Sequence, residues 1–147
     1  MKVTSYLTVL ASILALGAAG PEGPFISCGS RADSMIVSST EHTPPVNGKD
    51  FCITVKGYLT KAIHKGSKAI IHVTTGNSPT PYTIPICSNS CQAGQMTMRI
   101  CTRAYFPPRS YVPVDIMASD QDGKNLFCLL TTVETGLRVQ AQEQCGM

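Results

Sequence analysis

The residues of this chain best suited to chemistry are its seven cysteines, two of which, Cys87 and Cys91, lie four positions apart. Two close thiolates can bind zinc, but a structural zinc site has about four protein ligands. His64 and His72 are too few to complete such a site. Disulfide bonds are the other way to use these cysteines, and they form in oxidising compartments. We therefore expect cysteine pairs with one cysteine left over, and no bound metal.

Other reactive side chains are not spaced like a catalytic site. The sequence contains no Gly-x-Ser-x-Gly motif of the kind that exposes a nucleophilic serine. Its histidines, His42, His64 and His72, lack a spacing typical of a catalytic or metal cluster. Asp120 and Asp122 fit a hairpin turn, since a calcium loop needs more oxygen ligands and a terminal glutamate. The sequence predicts a protein that is not an enzyme and has no cofactor.

The first residues have the pattern of a secretory signal peptide. Lys2 supplies positive charge, residues 6–16 are mostly apolar, and the small residues 17–19 suit cleavage. An apolar stretch of about 11 residues is well short of the roughly 20 that span a bilayer. We expect residues 1–19 to be a signal peptide. The protein would then be secreted, or would reside in the lumen of the secretory or vacuolar system.

The composition of the chain does not indicate a nucleic-acid partner. Its formal net charge is +3, and it contains no run of five like charges. Charged residues make up 14% of the sequence, whereas about 25% is typical of globular domains. The low charge, together with many Val, Ile, Thr, Ser and Pro residues, favours a β-protein.

Apolar residues recur along the chain with a period of two, which is typical of half-buried strands. Prolines flank the segment 82–84, so that segment is expected at a sheet edge. The pattern predicts an all-β, immunoglobulin-like antiparallel sandwich of about seven strands over residues 20–134. Residues 135–147 are expected to form a flexible tail. The predicted strands are 35–40, 51–60, 68–75, 82–84, 95–104, 111–119 and 126–134.

The order of cysteines and turns along the chain carries a family resemblance. The segments concerned are Cys28, Pro44-Pro45 with Gly48, Gly57-Tyr58-Leu59, Ile63-His64-Lys65-Gly66-Ser67, Cys87 with Cys91 and Gly94, Asp120-Gln121-Asp122-Gly123, and Phe127-Cys128-Leu129. Over residues 25–133 this pattern resembles the ML family, the MD-2-related lipid-recognition domains. It is most similar to the fungal phosphatidylglycerol/phosphatidylinositol transfer proteins.

The resemblance implies a fold and two disulfide bonds. The fold of the family is an immunoglobulin-like sandwich whose two sheets stand apart and admit a lipid between them. The disulfide bonds implied by the resemblance are Cys28–Cys128 and Cys87–Cys91.

Cys52 and Cys101 do not belong to the family pattern. Both lie on the polar face of strands that are antiparallel neighbours in an immunoglobulin-type sheet. We expect a disulfide bond between them on the outer face, provided that their Cβ atoms approach within about 4.5 Å. Two separate thiols are the alternative. Cys145 would then be the odd cysteine, either free or joining two chains.

The inward faces of the strands are the candidate lining of a lipid cavity. Periodicity alone favours a closed core, because most apolar stripes are core, and the resemblance is what favours a cavity. The expected lining is Phe51, Ile53, Val55, Ile71, Val73, Met96, Met98, Ile100, Val112, Val114, Ile116, Phe127, Leu129 and Val133.

Two groups of residues are candidates for the rim of that cavity. A basic turn could meet an anionic headgroup or membrane surface, or could simply be solvated. The loop at 105–108 could be a lip that touches a membrane, or could pack against the domain. The candidate rim residues are Lys61, His64, Lys65, Lys68, Tyr105 and Phe106.

Together these features predict a secreted lipid-binding protein. It would carry a phospholipid, such as phosphatidylglycerol or phosphatidylinositol, or a sterol between membranes. One alternative is a recognition module that presents a bound lipid, and another is a structural or interaction protein with a closed core. The expected partners are the lipid and, transiently, a membrane surface, with no nucleic acid, and the protein is expected to be a monomer.

Overall fold

The computed structural model describes residues 25–30 and 33–136. No helix with the length and hydropathy of a membrane span occurs in this part of the chain. The predicted signal peptide 1–19 and Cys145 lie outside the described residues, as does the predicted tail beyond residue 136. In chain order the strands are β1 (Ile26–Ser27), β2 (Met35–His42), β3 (Phe51–Leu59), β4 (Ile63–His64), β5 (Lys68–Thr75), β6 (Ser78–Pro85), β7 (Ser90–Cys91), β8 (Gly94–Thr102), β9 (Ser110–Ser119) and β10 (Asn125–Thr135).

Two antiparallel sheets form the sandwich. The larger sheet has the strand order β1-β10-β9-β5-β6, and the smaller has the order β2-β3-β8. The short strands β4 and β7 pair with each other beside them. The predicted all-β, immunoglobulin-like antiparallel sandwich is confirmed. The seven longer strands correspond to the predicted ones, whereas β1, β4 and β7 are two residues long and too short to show a period.

The core lies between the sheets because alternate side chains of each strand point inward. Phe51, Ile53 and Val55 of β3 are fully buried, and so are the inward residues of β5 and β9 that face them. These side chains belong to one continuous apolar cluster contributed by both sheets. In the described part of the chain, every buried side-chain nitrogen or oxygen has a hydrogen-bond partner. The few buried polar side chains of this part of the chain are therefore all hydrogen-bonded, and the rest of the interior is apolar.

Strand β6 is longer than the predicted segment 82–84. It lies at the sheet edge, as expected, but pairs with β5 along its whole length from Ser78 to Pro85. Pro79, Pro81 and Pro85 occupy alternate positions, so their nitrogens all point to the same side of the strand. That side faces away from β5, where no donor is needed. The predicted segment 82–84 is too short because prolines whose nitrogens face away from the partner strand do not interrupt the pairing.

Strand β2 contains a bulge beside an unusually close backbone contact. Its register with β3 shifts between Val37 and Ser39. Gly57 of β3 lies opposite, and a Cβ atom there would clash with the carbonyl oxygen of Ile36. Only glycine allows this approach, so Gly57 fixes where β2 bends at the edge of the smaller sheet.

The described residues contain three disulfide bonds, in the pairs that the sequence analysis named. Cys28–Cys128 ties the segment after β1 to β10, so it lies within the larger sheet. Cys52–Cys101 joins directly opposed residues of β3 and β8 within the smaller sheet. Cys87–Cys91 closes a short loop between β6 and β8. Neither of the two long-range bonds joins one sheet to the other.

Cys52 points away from the core residues of β3, as expected, but it is not exposed. Its relative exposure is only 3%. Thr43 packs beside it, with its hydroxyl accepting a hydrogen bond from the Cys52 N–H at 2.9 Å. The Cys52 half of the outer-face disulfide is therefore covered by the chain that follows β2, whereas Cys101 is half-buried.

Candidate functional site

The residues expected to line a cavity come together between the sheets. All but one of the fourteen are buried, and Met96 is half-buried against the same cluster. Ile53, Ile71 and Val133 are completely enclosed. In this structure the fourteen side chains pack as a core, and a ligand would reach those deep between the sheets only if the sheets moved apart.

An open groove lies between the free edges of the two sheets, where β2 faces β1 and β10. Its volume is about 400 Å³, within the range of about 300–1,000 Å³ usual for small-molecule sites. Met35 and Val37 form one wall, and Phe127 and Leu129 form the other. We call this groove the edge slot. Because Phe127 and Leu129 also belong to the core, the slot connects the apolar interior with the surface.

One end of the edge slot is closed by Ser34. The N–H of Ser34 donates to the carbonyl of Asn125 at the start of β10, at 3.2 Å. The carbonyl of Ser34 accepts from both the N–H and the hydroxyl of Thr60, each at 2.8 Å, at the end of β3. Ser34 thus joins the two sheets through its backbone.

The other end of the slot is closed by aromatic rings. The Phe25 and His42 rings meet edge to face, with centroids 5.8 Å apart. His42 continues to Phe51 at 5.5 Å, and Phe51 to Phe106 at 5.1 Å. The row passes from the larger sheet into the core, so the slot is bounded at both ends and open along its length.

Sequence reasoning missed the slot residues on β2. Met35 and Val37 alternate inward as the expected lining residues do, within a strand that the sequence predicts. That alternation was the available signal. Phe25 and Ser34 gave no such signal, because they lie outside any long strand and their contacts are made by distant parts of the chain.

The basic turn lies at one end of the sandwich, beyond β3. Lys61 forms an ion pair with the buried carboxylate of Asp120, with 3.8 Å between Nζ and Oδ2. The backbone N–H of His64 donates to Oε1 of Gln121 at 3.0 Å. His64, Lys65 and Lys68 are exposed. Of the four basic residues predicted to contact a headgroup, Lys61 is therefore paired with a carboxylate of the protein, and the other three side chains face solvent.

Phe106 is a correction to the predicted rim. Its exposure is only 2%, because its ring packs against Phe51. Its N–H donates to Oδ1 of Asn47 at 2.8 Å, and its carbonyl accepts from Nδ2 of Asn47 at 2.9 Å. Phe106 therefore follows the alternative in which this loop packs against the domain. Its neighbour Tyr105 is 60% exposed.

The two groups of rim residues do not share one opening. Phe51 pairs with Thr102 at one end of β3, and Leu59 pairs with Gly94 at the other. Tyr105 follows the first end, and Lys61 follows the second. At about 3.3 Å per residue, the nine residues of β3 separate them by roughly 26 Å.

Comparison with known proteins identifies the domain. A family model described as "ML domain" matches residues 23–135. A Niemann-Pick type C2 protein from the Japanese carpenter ant superposes with a TM-score of 0.57 at 8% identity, covering 77% of this chain and 99% of that one. Chicken MD-1 complexed with lipid IVa gives 0.54 at 15% identity, covering 76% and 87%. At these identities the likeness concerns the fold. No curated protein sequence matches the chain.

Proposed function

Since the chain belongs to the ML domain family, we propose that it binds a lipid between its two sheets and carries it between membranes. The observation that carries this proposal is the continuous apolar interior, which reaches the surface at the edge slot. A structural neighbour, chicken MD-1, is complexed with a lipid, which supports a lipid as ligand. The finer expectation is phosphatidylglycerol, phosphatidylinositol or a sterol.

The disulfide arrangement supports a mechanism in which the sheets separate. Each long-range disulfide stays within one sheet, so no cystine prevents the sheets from moving apart. Burial of an acyl chain contributes about 0.8 kcal/mol per methylene, so ten methylenes contribute about 8 kcal/mol. This gain is about equal to the cost of extracting the same ten methylenes from a bilayer, so transfer of the chain between bilayer and protein is close to balanced. The protein acts by binding and release, without making or breaking bonds.

The same cysteines support a place in the secretory system. Three disulfides in a domain of this size are typical of proteins that fold in an oxidising compartment. We propose that the protein is secreted or resides in the lumen of that system.

Native mass spectrometry of the purified full-length mature protein tests lipid binding. We expect an added mass that disappears on denaturation and matches an extractable lipid. A clean apo mass after mild handling, with no adduct after incubation with vesicles of phosphatidylcholine, phosphatidylglycerol and ergosterol, would contradict the proposal. Transfer between labelled donor and acceptor vesicles then separates a carrier from a presenter, which binds lipid without accelerating transfer.

The tight packing of the predicted lining favours one other candidate, a structural or interaction protein with a closed core. The inward residues of this chain are as enclosed as those of an ordinary β-sandwich with a closed core. The apo result in the same experiment supports this candidate.

A further inference from the structure

The outer face of the larger sheet, which points away from the core, carries many apolar side chains. Strands β1, β9 and β10 supply four of the seven large hydrophobic residues exposed in the described part of the chain, namely Ile26, Tyr111, Met117 and Leu130. A shallow pocket of about 330 Å³ lies on β9 and β10 among them. Soluble monomers rarely expose large contiguous apolar patches, and such patches mark interaction sites.

The few charged side chains of this outer face lie at its ends or are paired. Lys68 and Glu134 are at opposite ends of the face. In its centre, Nδ1 of His72 is 2.9 Å from Oδ2 of Asp115, and the two side chains are 25% and 34% exposed. Because each of these groups already has a hydrogen-bond partner, a second surface can cover them without leaving either one unsatisfied.

The outer face of the smaller sheet has a different character. Glu41, Thr54 and Arg99 lie opposite one another across β2, β3 and β8, and Lys56 pairs with Thr97 in the next outward row. The side chains of Lys56 and Arg99 are exposed. This polar face is suited to water, so the two outer faces of the sandwich differ in what they are built to contact.

The edges of the larger sheet are less suited to a partner than its face. The free edge of β6 presents the nitrogens of Pro79, Pro81 and Pro85, so a strand of another chain would find few donors there. At the other edge, β1 is only two residues long. A partner of this sheet would therefore pack face to face, at the spacing of about 10 Å that stacked sheets adopt.

The outer face of the larger sheet is complementary to a second copy of itself. His72 lies beside Asp115, and Ile70 beside Met117, as cross-strand neighbours of β5 and β9. A twofold axis that runs parallel to the strands, between β5 and β9, places His72 opposite the partner's Asp115 and Met117 opposite the partner's Ile70. The same contacts occur again with the roles of the two copies exchanged. Apolar side chains then meet apolar ones, and each imidazole meets a carboxylate.

The size of this face suits a weak dimer. Its four long strands, about 4.8 Å apart and about eight residues long, cover roughly 20 Å by 26 Å. Two copies would bury roughly 1,000 Å² in total, which is about the least that a specific interface buries. We therefore expect a dissociation constant in the micromolar range for the non-covalent dimer.

The chain beyond β10 is long enough to link two such copies. Six cysteines form the three described disulfides, and Cys145 is the seventh. It lies ten positions after Thr135, and ten residues span up to about 33 Å. In the twofold arrangement, Thr135 and the partner's Thr135 are at the same end of the interface, roughly 17 Å apart across three strand spacings and one sheet spacing. The two Cys145 thiols are thus within reach of each other.

We propose that this chain forms a symmetric dimer through the outer faces of its larger sheets, and that Cys145 then joins the two copies. Two Cys145 thiols and one molecule of glutathione disulfide yield the intermolecular disulfide and two molecules of glutathione, so electrons and protons balance. The dimer differs from the monomer that the sequence alone predicts. The core and the edge slot lie on the other side of the larger sheet, so this inference does not depend on lipid binding.

Sedimentation velocity of the Cys145→Ala variant tests non-covalent association. From about 1 to 100 µM, we expect the measured mass to rise from one copy to two. Met117→Glu buries a carboxylate in the interface and should raise the dissociation constant at least about tenfold. Ile36→Glu changes an exposed apolar residue of the smaller sheet and should leave it unchanged. A single-copy mass at every concentration, or equal effects of the two substitutions, would overturn the dimer.

Oxidation with glutathione disulfide tests the link through Cys145. The full mature protein should give a covalent dimer on a non-reducing gel, and Cys145→Ala should abolish it. Met117→Glu should lower the yield about tenfold because the thiols lose their effective concentration, whereas Ile36→Glu should match wild type. Equal yields from wild type and Met117→Glu would overturn the arrangement. Lipid adducts in native mass spectrometry are expected in either case, so failure of the dimer leaves the proposed function standing.

Discussion

Asp120 shows how much one buried carboxylate can organise in this domain. Its Oδ1 accepts hydrogen bonds from the N–H groups of Asp122 and Lys124, each at 2.9 Å, and Oδ2 faces Lys61. The side chain is 1% exposed. It therefore shapes the β9–β10 turn and links that turn to the segment after β3. Asp122, the other turn carboxylate, is exposed.

Replacing Asp120 is therefore expected to destabilise the fold. Asp120→Ala leaves two backbone donors without their charged acceptor, so the free energy of unfolding should fall by about 2–3 kcal/mol. Asp122→Ala is the matched control and should change it by less than about 0.5 kcal/mol. Urea unfolding followed by circular dichroism measures both. Equal midpoints for the two variants would show that the Asp120 network contributes little.

At the level of elements, proline position decides which strand edges can pair. The nitrogens of the three prolines of β6 point away from β5, as described above. Pro113 lies in β9, yet the β5–β9 pairing reaches only from Ser119 to Val114, so it stops just before this residue. Pro113 still pairs opposite Thr132 on the β10 side. Both strands thus place the missing N–H where no ladder bond is made.

A pair of new prolines in β6 tests this rule. The backbone nitrogen of Thr83 points to the same side of β6 as those of Pro81 and Pro85. Thr83→Pro should therefore lower the free energy of unfolding by less than about 1 kcal/mol. The backbone N–H of Thr80 points the other way, toward β5. Thr80→Pro therefore removes a donor from the β5–β6 ladder and should lower the free energy of unfolding by about 3 kcal/mol. Thermal or urea unfolding compares them. The reverse ranking would show that the register of β6 is displaced by one residue.

At the scale of the whole molecule, sequence alone predicted what depends on local alternation and failed where distant segments meet. The strand 68–75 was predicted with its observed bounds, because its period is visible within eight residues. The Cys52–Cys101 pairing followed from topology. By contrast, the backbone of Phe106 is held by hydrogen bonds to Asn47, 59 positions away, and its ring is buried against Phe51. The edge slot likewise needs Met35 and Phe127 together, and no local pattern predicts that meeting.

The three disulfides act on the whole chain through loop closure, so their contributions should follow loop length. Removing Cys28–Cys128, with a separation of 100, should cost about 4.7 kcal/mol, and Cys52–Cys101, with 49, about 4 kcal/mol. Cys87–Cys91, with a separation of 4, should cost about 2 kcal/mol. Paired alanine variants in a Cys145→Ala background, which prevents thiol exchange, give the unfolding free energies. The largest loss in the Cys87–Cys91 variant would contradict this order.

The pairing of β1 with β10 has a consequence for biosynthesis. Cys28 and its partner Cys128 are separated by 100 residues, so at about 5–20 residues per second the first cysteine waits roughly 5–20 s for the second. During this interval Cys52, Cys87, Cys91 and Cys101 all emerge before Cys128 does. Correct maturation therefore requires either slow oxidation or an isomerase that resolves early mispaired cystines. Pulse-labelled translation intermediates distinguish the two routes: non-native disulfides of Cys28 that disappear once β10 is complete indicate an isomerase, whereas a reduced Cys28 up to that point indicates slow oxidation.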